Sequence, residues 1–560
     1  MRTSTALLTG ALVGLLLTAP FIAVLYLADQ VYNLPFVPYT LFDWIGRVLP
    51  GDVLTRGIDG MVTAIRELDL GETSSTAKTI ENGMGLLTFL AIGAGAGAAL
   101  FAVLRALDVR LNEGARYVPG VIVGAVVGLP LILISRHILY GAGAAFTNVA
   151  PEGLALLWLA IAFLGWGAAL SWVYFRTYPE QRAARELIAR PAEQPAAERL
   201  NRRQFIIRLG GASAAITVAG AGVGKLLAYL EEQDLQATIE ARREAVENMP
   251  GDLPNAGAAV QPVPGTRPEY TPLEQHYRID INSRPVEIDG DEWRLRIHGL
   301  VDQPAELTLD DLTTRYPSRD QYVTLACISN PLAGDLTSTT RWTGVSLRDV
   351  LADVGVQSGA SYLILRSADG FHETVDLAIA NDDPRVMLAY QWDGIALLPQ
   401  HGYPLRIYIP DRYGMKQPKW ISEIEVSGVY EEGYWVVRGW DEVAQMRAIS
   451  VIDVVAAGDA YADADTDETM IPIGGIAHAG ARGISKVEVR VDDGAWTEAQ
   501  LREPLSETTW VIWRYDWPFT PGEHTFAVRC VEGDGTPQIE ERRSTKPSGA
   551  TGIHSVSRAV

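Results

Sequence analysis

The sequence predicts a multi-domain chain: an N-terminal all-α transmembrane bundle of about five helices, an α+β domain, and a C-terminal β-sandwich. Three observations predict it. Apolar residues crowd into the first 230 positions, in runs of membrane-spanning length. A stretch dense in Pro, Gly and Ala follows at 250–272. From about residue 290 the apolar residues alternate with polar ones, as in strands.

Four runs, near 6–28, 84–104, 118–139 and 153–175, reach the roughly 20 residues that a helical span needs. A fifth, 205–229, is weaker and rich in Gly and Ala. The small residues of AIGAGAGAA in the second run and GGASAAITVAGAG in the fifth predict faces where helices pack closely. The loop 105–116 is net basic, and 176–208 carries Arg176, Arg182, Arg185, Arg190, Arg199, Arg202, Arg203 and Arg208. Both are expected in the cytoplasm, and 29–81 and 140–152 outside it. That gives five crossings and an extracytoplasmic soluble part. Asn201-Arg202-Arg203-Gln204-Phe205 through Gly210 resembles a twin-arginine export signal, although positive-inside anchoring also places arginines there.

The 560 residues carry a net charge of −21, which argues against a nucleic-acid partner. Cys327 and Cys530 are the only cysteines, so a disulfide framework, iron–sulfur clusters, c-type haem and structural zinc lack ligands. Only His137 lies in or near a span, and no haem b is expected. Redox chemistry would need another cofactor.

The transmembrane part is expected at 1–230, with a linker or wrapping arm at 231–269. The α+β domain is expected at 270–438. Trp293–Ile297 reads as a strand, Thr308 as the N-cap of a short helix, and Tyr322–Ala326 as a strand opening at Cys327 into the loop Ile-Ser-Asn-Pro-Leu-Ala-Gly. Alone, Cys327 fits either a metal ligand or a buried thiol. Residues 439–560 hold short alternating strands at 486–491, 510–513 and 524–529, with turns at Asp493-Gly494 and Pro521-Gly522. They predict an immunoglobulin-like sandwich, with Cys530 buried in a strand.

Three spaced motifs carry a resemblance. Cys327-Ile-Ser-Asn-Pro, Thr340-Arg341-Trp342-Thr343-Gly344, and His401-Gly-Tyr-Pro-Leu-Arg406 continuing through Tyr413-Gly414 to Lys416, Lys419 and Trp420 resemble the molybdenum-cofactor segments of the sulfite oxidase family. The resemblance spans about 270–430. It implies a mono-pterin molybdenum cofactor with Cys327 as the metal's thiolate ligand. His401, Arg406 and Lys419 match phosphate-binding positions, and the run 412–419, with Lys416, would wrap the pterin. Ser367 and Asp369 match a further pterin contact. Tyr277, Asp280 and Asn282 lie in a segment matching a family loop near pterin and metal. Arg341, Arg412 and Lys416 are the charges expected beside substrate, with Arg278 and His372 as further cations. The C-terminal sandwich matches the family's dimerisation domain, so a homodimer is implied.

The chain departs from true sulfite oxidases. Ile279-Asp280-Ile281 stands where they carry Arg-Asn-His, Pro331 and Leu332 replace arginines, and Trp440 falls near their active-site tyrosine. The expected reaction is therefore oxygen-atom transfer on a small sulfite-like or sulfoxide-like substrate, with electrons exchanged with a separate protein or membrane carrier. A non-catalytic membrane receptor on the same fold would also explain the lost arginines. Retention of Cys327, His401, Arg406 and Lys419 speaks against it. A transporter is disfavoured by spans with almost no polar residues.

Overall fold

The computed structural model describes residues 2–107, 109, 111–141, 149–178, 204–226, 229, 253–464 and 466–560. It divides into two compact units, Met1–Leu49 with Lys78–Thr238, and Pro50–Ala77 with Ile239–Val560. Arg202 and Arg203 of the twin-arginine-like motif, and the charged stretch 230–250, lie outside the described residues.

The helices in chain order are α1 Arg2–Tyr32, α2 Val37–Val48, α3 Gly51–Glu67, α4 Thr73–Ala106, α5 Val118–Tyr140, α6 Glu152–Thr177 and α7 Gln204–Leu226. Five of them, α1, α4, α5, α6 and α7, are long and apolar enough to cross a membrane, and they coincide with the five predicted runs. Small residues set their approach. A Cβ on Gly97 of α4 would stand 2.3 Å from the Gly10 carbonyl oxygen of α1, and one on Gly120 of α5 2.0 Å from that of Gly167 in α6. Phe21 fills the centre, edge-on to Phe163 at 5.2 Å and stacked on Trp166 at 5.9 Å.

The second unit continues with β1 Leu295–Gly299, β2 Ala305–Leu307, α8 Leu309–Arg315, β3 Ser318–Ala326, β4 Thr337–Ser346, α9 Leu347–Val354, β5 Tyr362–Ser367, β6 His372–Asp376, α10 Leu377–Asp382, β7 Met387–Trp392, β8 Ile395–Ala396, β9 Arg406–Tyr408 and β10 Ile421–Ser427. One mixed sheet runs β2-β1-β10-β5-β6, and a second runs β3-β4-β7-β8 with β9 on β7. Thr308 caps α8 as expected, accepting from the Asp311 N–H at 2.9 Å, while Asp311 accepts from the Thr308 N–H in return.

The remaining strands are β11 Ile449–Val455, β12 Tyr461–Ala462, β13 Thr469–His478, β14 Ile484–Val491, β15 Thr497–Glu498, β16 Gln500–Leu501, β17 Val511–Pro518, β18 Glu523–Glu532 and β19 His554–Ala559. They form two antiparallel sheets, β11-β13-β17-β16 and β15-β14-β18-β19, with β12 paired to β13. Ile473, Val487, Val489, Trp513, Phe526, Val528 and Cys530 share one core between them.

Two segments wrap this unit. The end of the Pro-rich arm is fixed by a buried ion pair, Arg502 Nε to Glu269 Oε2 at 2.9 Å, with Asn255 donating to Glu269 at 2.6 Å. Helix α3 buries Thr55, Val62 and Ile65, and Lys546 reaches Asp52 at 3.0 Å. Gly51 packs so closely on Arg438 that a Cβ there would meet its carbonyl oxygen at 2.5 Å.

Candidate active site

Strands β3 and β4 pair in continuous register to Ala326 opposite Thr337, so the loop after β3 closes a hairpin. Cys327 stands at its first position. Its N–H donates to the Leu336 carbonyl at 2.9 Å, and its own carbonyl accepts from Asn330 at 3.0 Å. Asn330 Oδ1 in turn accepts from the Leu336 N–H at 3.0 Å. These bonds fix the thiol at the sheet's rim, half-buried, with Sγ 3.1 Å from the Ser329 hydroxyl. Burial pushes the Cys327 thiol up, and Ser329 partly offsets this.

Two apolar clusters flank the cysteine. Tyr277, Val323, Leu325, Leu336, Trp342, Met387 and Tyr408 pack against it on one side. Its neighbours Ala326 and Ile328 join Tyr413, Met415, Trp440 and Met446 on the other. Burial raises the Tyr277 phenol well above its ordinary value and the Tyr413 phenol to about 12, and a thiolate at Cys327 would push both further up. Gly414 lets the chain pass Tyr277. A Cβ there would stand 2.9 Å from the phenol oxygen.

The same sheet carries the cationic part. Trp342 of β4 lies opposite Trp392 of β7, and β9 begins at Arg406 opposite Ala389. The Arg406 guanidinium lies 4.2 Å over the Trp342 ring and donates to the His401 carbonyl at 3.0 Å. Its Nε has no partner, although the residue is only 4% exposed. Among the described residues no carboxylate lies within 4 Å of it. Burial therefore pulls its pKa down to about 9. The buried His401 ring sits 4.7 Å from Trp392, and Gly402, at φ +110°, turns the chain just after it. Burial, then the neighbouring His276 and cations, hold the His401 imidazole well below its ordinary value. Lys419 bonds Asp280 Oδ2 at 3.2 Å and the Gln400 carbonyl at 3.1 Å, and burial lowers its pKa to about 8.

The predicted residues divide into groups. Cys327, Tyr277, Arg406, His401, Lys419 and Asp280 gather along this sheet rim and its loops. Asn282 is buried in the same N-terminal segment. Ser367 and Asp369 are buried in the β5–β6 turn, where Asp369 accepts from Phe371 N–H at 2.9 Å and Ser367 Oγ has no partner. The Arg341 backbone N–H donates to the Tyr270 hydroxyl at 3.1 Å. Arg412 pairs with Asp411 at 3.6 Å. Lys416 is 2% exposed, and its ammonium is engaged by Glu373 Oε1 at 2.8 Å and the Thr374 carbonyl at 3.0 Å, so its charge is already matched. Burial raises the Glu373 carboxyl, opposed by Lys416.

Sequence reasoning missed His276, whose ring stands 5.1 Å from His401 and 4.5 Å from Trp392. A histidine next to the quoted Tyr277 was its only signal. A molybdenum–pterin group fits these residues. Orphaned buried polar atoms on Arg406, His276 and Ser367, a guanidinium without a counter-charge, and a close approach that only glycine permits at 414 are what a phosphate-bearing, nitrogen-rich ligand would meet.

Comparison with known proteins agrees. The oxidoreductase molybdopterin binding domain family matches residues 282–435. The putative protein-methionine-sulfoxide reductase subunit YedZ1 of Azospira oryzae is 28% identical over 243 residues, 43% of this chain and 86% of that one. Mitochondrial sulfite oxidase of Macaca fascicularis is 29% identical over 45% of this chain and 54% of its own. A Brassica napus NADH nitrate reductase is 31% identical over 30% of this chain and 21% of its own. The chain thus spans about half the length of that sulfite oxidase and a fifth of that nitrate reductase. The chain carries an oxidoreductase molybdopterin binding domain similar to that of sulfite oxidases, in a membrane protein whose five membrane-length helices precede it.

Proposed function

We propose that the chain transfers an oxygen atom to or from a small sulfur compound, sulfoxide-like or sulfite-like, and exchanges the electrons with a separate carrier protein or membrane-borne carrier. One observation carries this reading: a half-buried thiol at a strand end shares a sheet with a buried guanidinium that, among the described residues, has no carboxylate partner. The first suits a metal, and the second suits an anionic handle on the ligand that brings the metal.

A bound molybdenum cofactor supplies two-electron oxygen-atom chemistry. The chain's residues do the rest. Cys327 ligates through sulfur, and the hairpin bonds of its backbone hold that sulfur in place. His401, Arg406 and Lys419 bind the phosphate. Ser367, Asp369, Asp280 and Asn282 contact the pterin, and Gly414 lets the main chain wrap it. Tyr277 packs against Cys327, while the Tyr413 hydroxyl accepts from the Arg447 N–H at 3.1 Å. Ile328, Met415, Trp440 and Met446 exclude water from that side. Run as a reductase, the reaction takes a sulfoxide, two electrons and two protons to a thioether and water. Run as an oxidase, sulfite and water give sulfate, two electrons and two protons.

In this reading the five helices anchor the enzyme with its catalytic domain on the extracytoplasmic face, as the arginine-rich loops favour. The C-terminal sheets form an immunoglobulin-like module that pairs two copies. The test is molybdenum and pterin content of the purified protein beside Cys327→Ser, followed by turnover of sulfite and methionine sulfoxide. About one metal per chain, lost with activity in the variant, supports the reading. Folded protein from molybdenum-replete cells with neither metal nor pterin would overturn it in favour of a receptor.

A further inference from the structure

His276 stands outside every role assigned so far, yet it is 5% exposed and lies against the cationic part of the site. Its Nδ1 lies 3.0 Å from the Tyr277 carbonyl. A carbonyl only accepts, so Nδ1 carries the hydrogen. The ring is neutral, because burial first, and then the Arg406 and Lys419 charges, lower its pKa to about 3. Nε2 is therefore a bare acceptor, and among the described residues it has no partner. The groups around the His276–His401 pair are the cations Arg406, Lys419 and Arg278, with Trp392 and Tyr277 beside the rings. The carboxylate of Asp280 is already held by Lys419 and Arg278. A lone acceptor among cations is a misfit until an anion arrives.

We propose that His276 is a further phosphate-site residue, sharing one proton with the bound cofactor phosphate through Nε2. This rests on the reading of His401, Arg406 and Lys419 as the phosphate site. A phosphate oxygen facing a bare Nε2 places two lone pairs in opposition, so one proton must sit between them, on nitrogen or on oxygen. The phosphate charge also offsets the Arg406 and Lys419 charges that, after burial, keep the ring neutral. Above the free phosphate's second pKa of about 6, binding therefore takes up a proton, and release is faster at higher pH.

The experiment uses the cofactor-loaded full chain and follows pterin released against time from pH 5.5 to 7.5, with folding checked by circular dichroism. That range stays below the pH near 8 at which Lys419 loses its own charge. The wild-type release rate should rise, approaching tenfold per pH unit as the shared proton is lost. His276→Phe keeps an aromatic ring against Trp392 but no acceptor; it should release about tenfold faster at pH 5.5 and show no slope. His276→Gln, which can donate without titrating, should recover slow release, also without slope. A folded His276→Phe with wild-type rate and slope would overturn the proposal. If that variant does not fold, a wild-type slope in His276→Gln would overturn it. Wild-type protein lacking pterin altogether would overturn the parent reading, and this one with it.

Discussion

Replacing Arg406 by methionine should separate a ligand-binding charge from a structural one. Burial pulls the guanidinium pKa down to about 9, which disfavours the charge by a few kcal/mol, on the order of 5. Two contacts offset that cost. A charged hydrogen bond to the His401 carbonyl contributes about 1.5–3 kcal/mol, and the Trp342 ring face about 2 kcal/mol. The terms nearly cancel. Arg406→Met should therefore leave the cofactor-free chain within about 1–2 kcal/mol of wild type, although it removes a buried arginine. The loaded chain should suffer, because a charge-assisted phosphate contact of about 1.5–3 kcal/mol vanishes. Pterin retention should fall roughly ten- to hundredfold. Urea melts of the cofactor-free protein and pterin per chain after dialysis read the two arms. A loss of about 4 kcal/mol in the cofactor-free chain would make the guanidinium a structural strut rather than an anion site, and unchanged retention would remove it from the phosphate site.

Other perturbations have equally definite expectations. Cys327→Ser should abolish molybdenum binding, whereas Cys530→Ser, buried in β18 beside Gln538, should keep the metal, with a stability loss of about 1 kcal/mol on melting. Glu373→Gln leaves the 2%-exposed Lys416 without a carboxylate and should cost about 3–5 kcal/mol in urea unfolding, while the double change Glu373→Leu with Lys416→Met should recover most of it. Burial raises the Asp393 carboxyl to about 7, beside the Tyr270 hydroxyl. Its folded pKa exceeds the unfolded one, so between about pH 4 and 7 the folded state binds more protons and stability falls as pH rises. Asp393→Asn should flatten that part of the stability–pH profile.

Motifs confined to short stretches were readable from the sequence because local chemistry fixes them. Thr308 and Asp311 satisfy each other's backbone within one helical turn, so the start of α8 needs no tertiary information. His401, Gly402 and Arg406 lie within one short stretch, where the resemblance named His401 and Arg406 together and the structure joins them by a hydrogen bond. The five long helices follow from length and apolar content. What stayed hidden depends on partners remote in the chain. Lys416 reads as an available cation because nothing near it shows that Glu373, on β6, will meet it. His276 gains its meaning from Trp392 and His401, both more than a hundred residues on. Helix α3 was hidden because only Thr55, Val62 and Ile65 are buried on it, too thin an apolar stripe to stand out in a mixed-charge loop.

The pairing of charges bears on the substrate. Of the cations expected to replace the arginines of sulfite oxidases, Arg278 is paired with Asp280, Arg412 with Asp411 and Lys416 with Glu373, the His372 ring lies 3.2 Å from the Glu432 carbonyl, and Arg341 is the fifth candidate. A sulfite dianion that drew on Lys416 would leave the buried Glu373 carboxylate unpaired, and one that drew on Arg278 or Arg412 would weaken the pairs at Asp280 and Asp411, which Lys419 and Arg482 also hold. A neutral sulfoxide needs no such exchange. Its S=O dipole would need only a neutral donor, such as the Tyr277 phenol, and apolar surroundings, such as the cluster of Ile328, Met415 and Trp440 next to Cys327. Methionine sulfoxide should therefore exceed sulfite in kcat/KM by about tenfold or more, the value of a single charged contact. Its KM should be nearly independent of ionic strength, since no net charge is being captured. Efficient sulfite turnover with a KM that rises steeply with salt would instead place a cation such as Arg341 at the substrate and refute this preference.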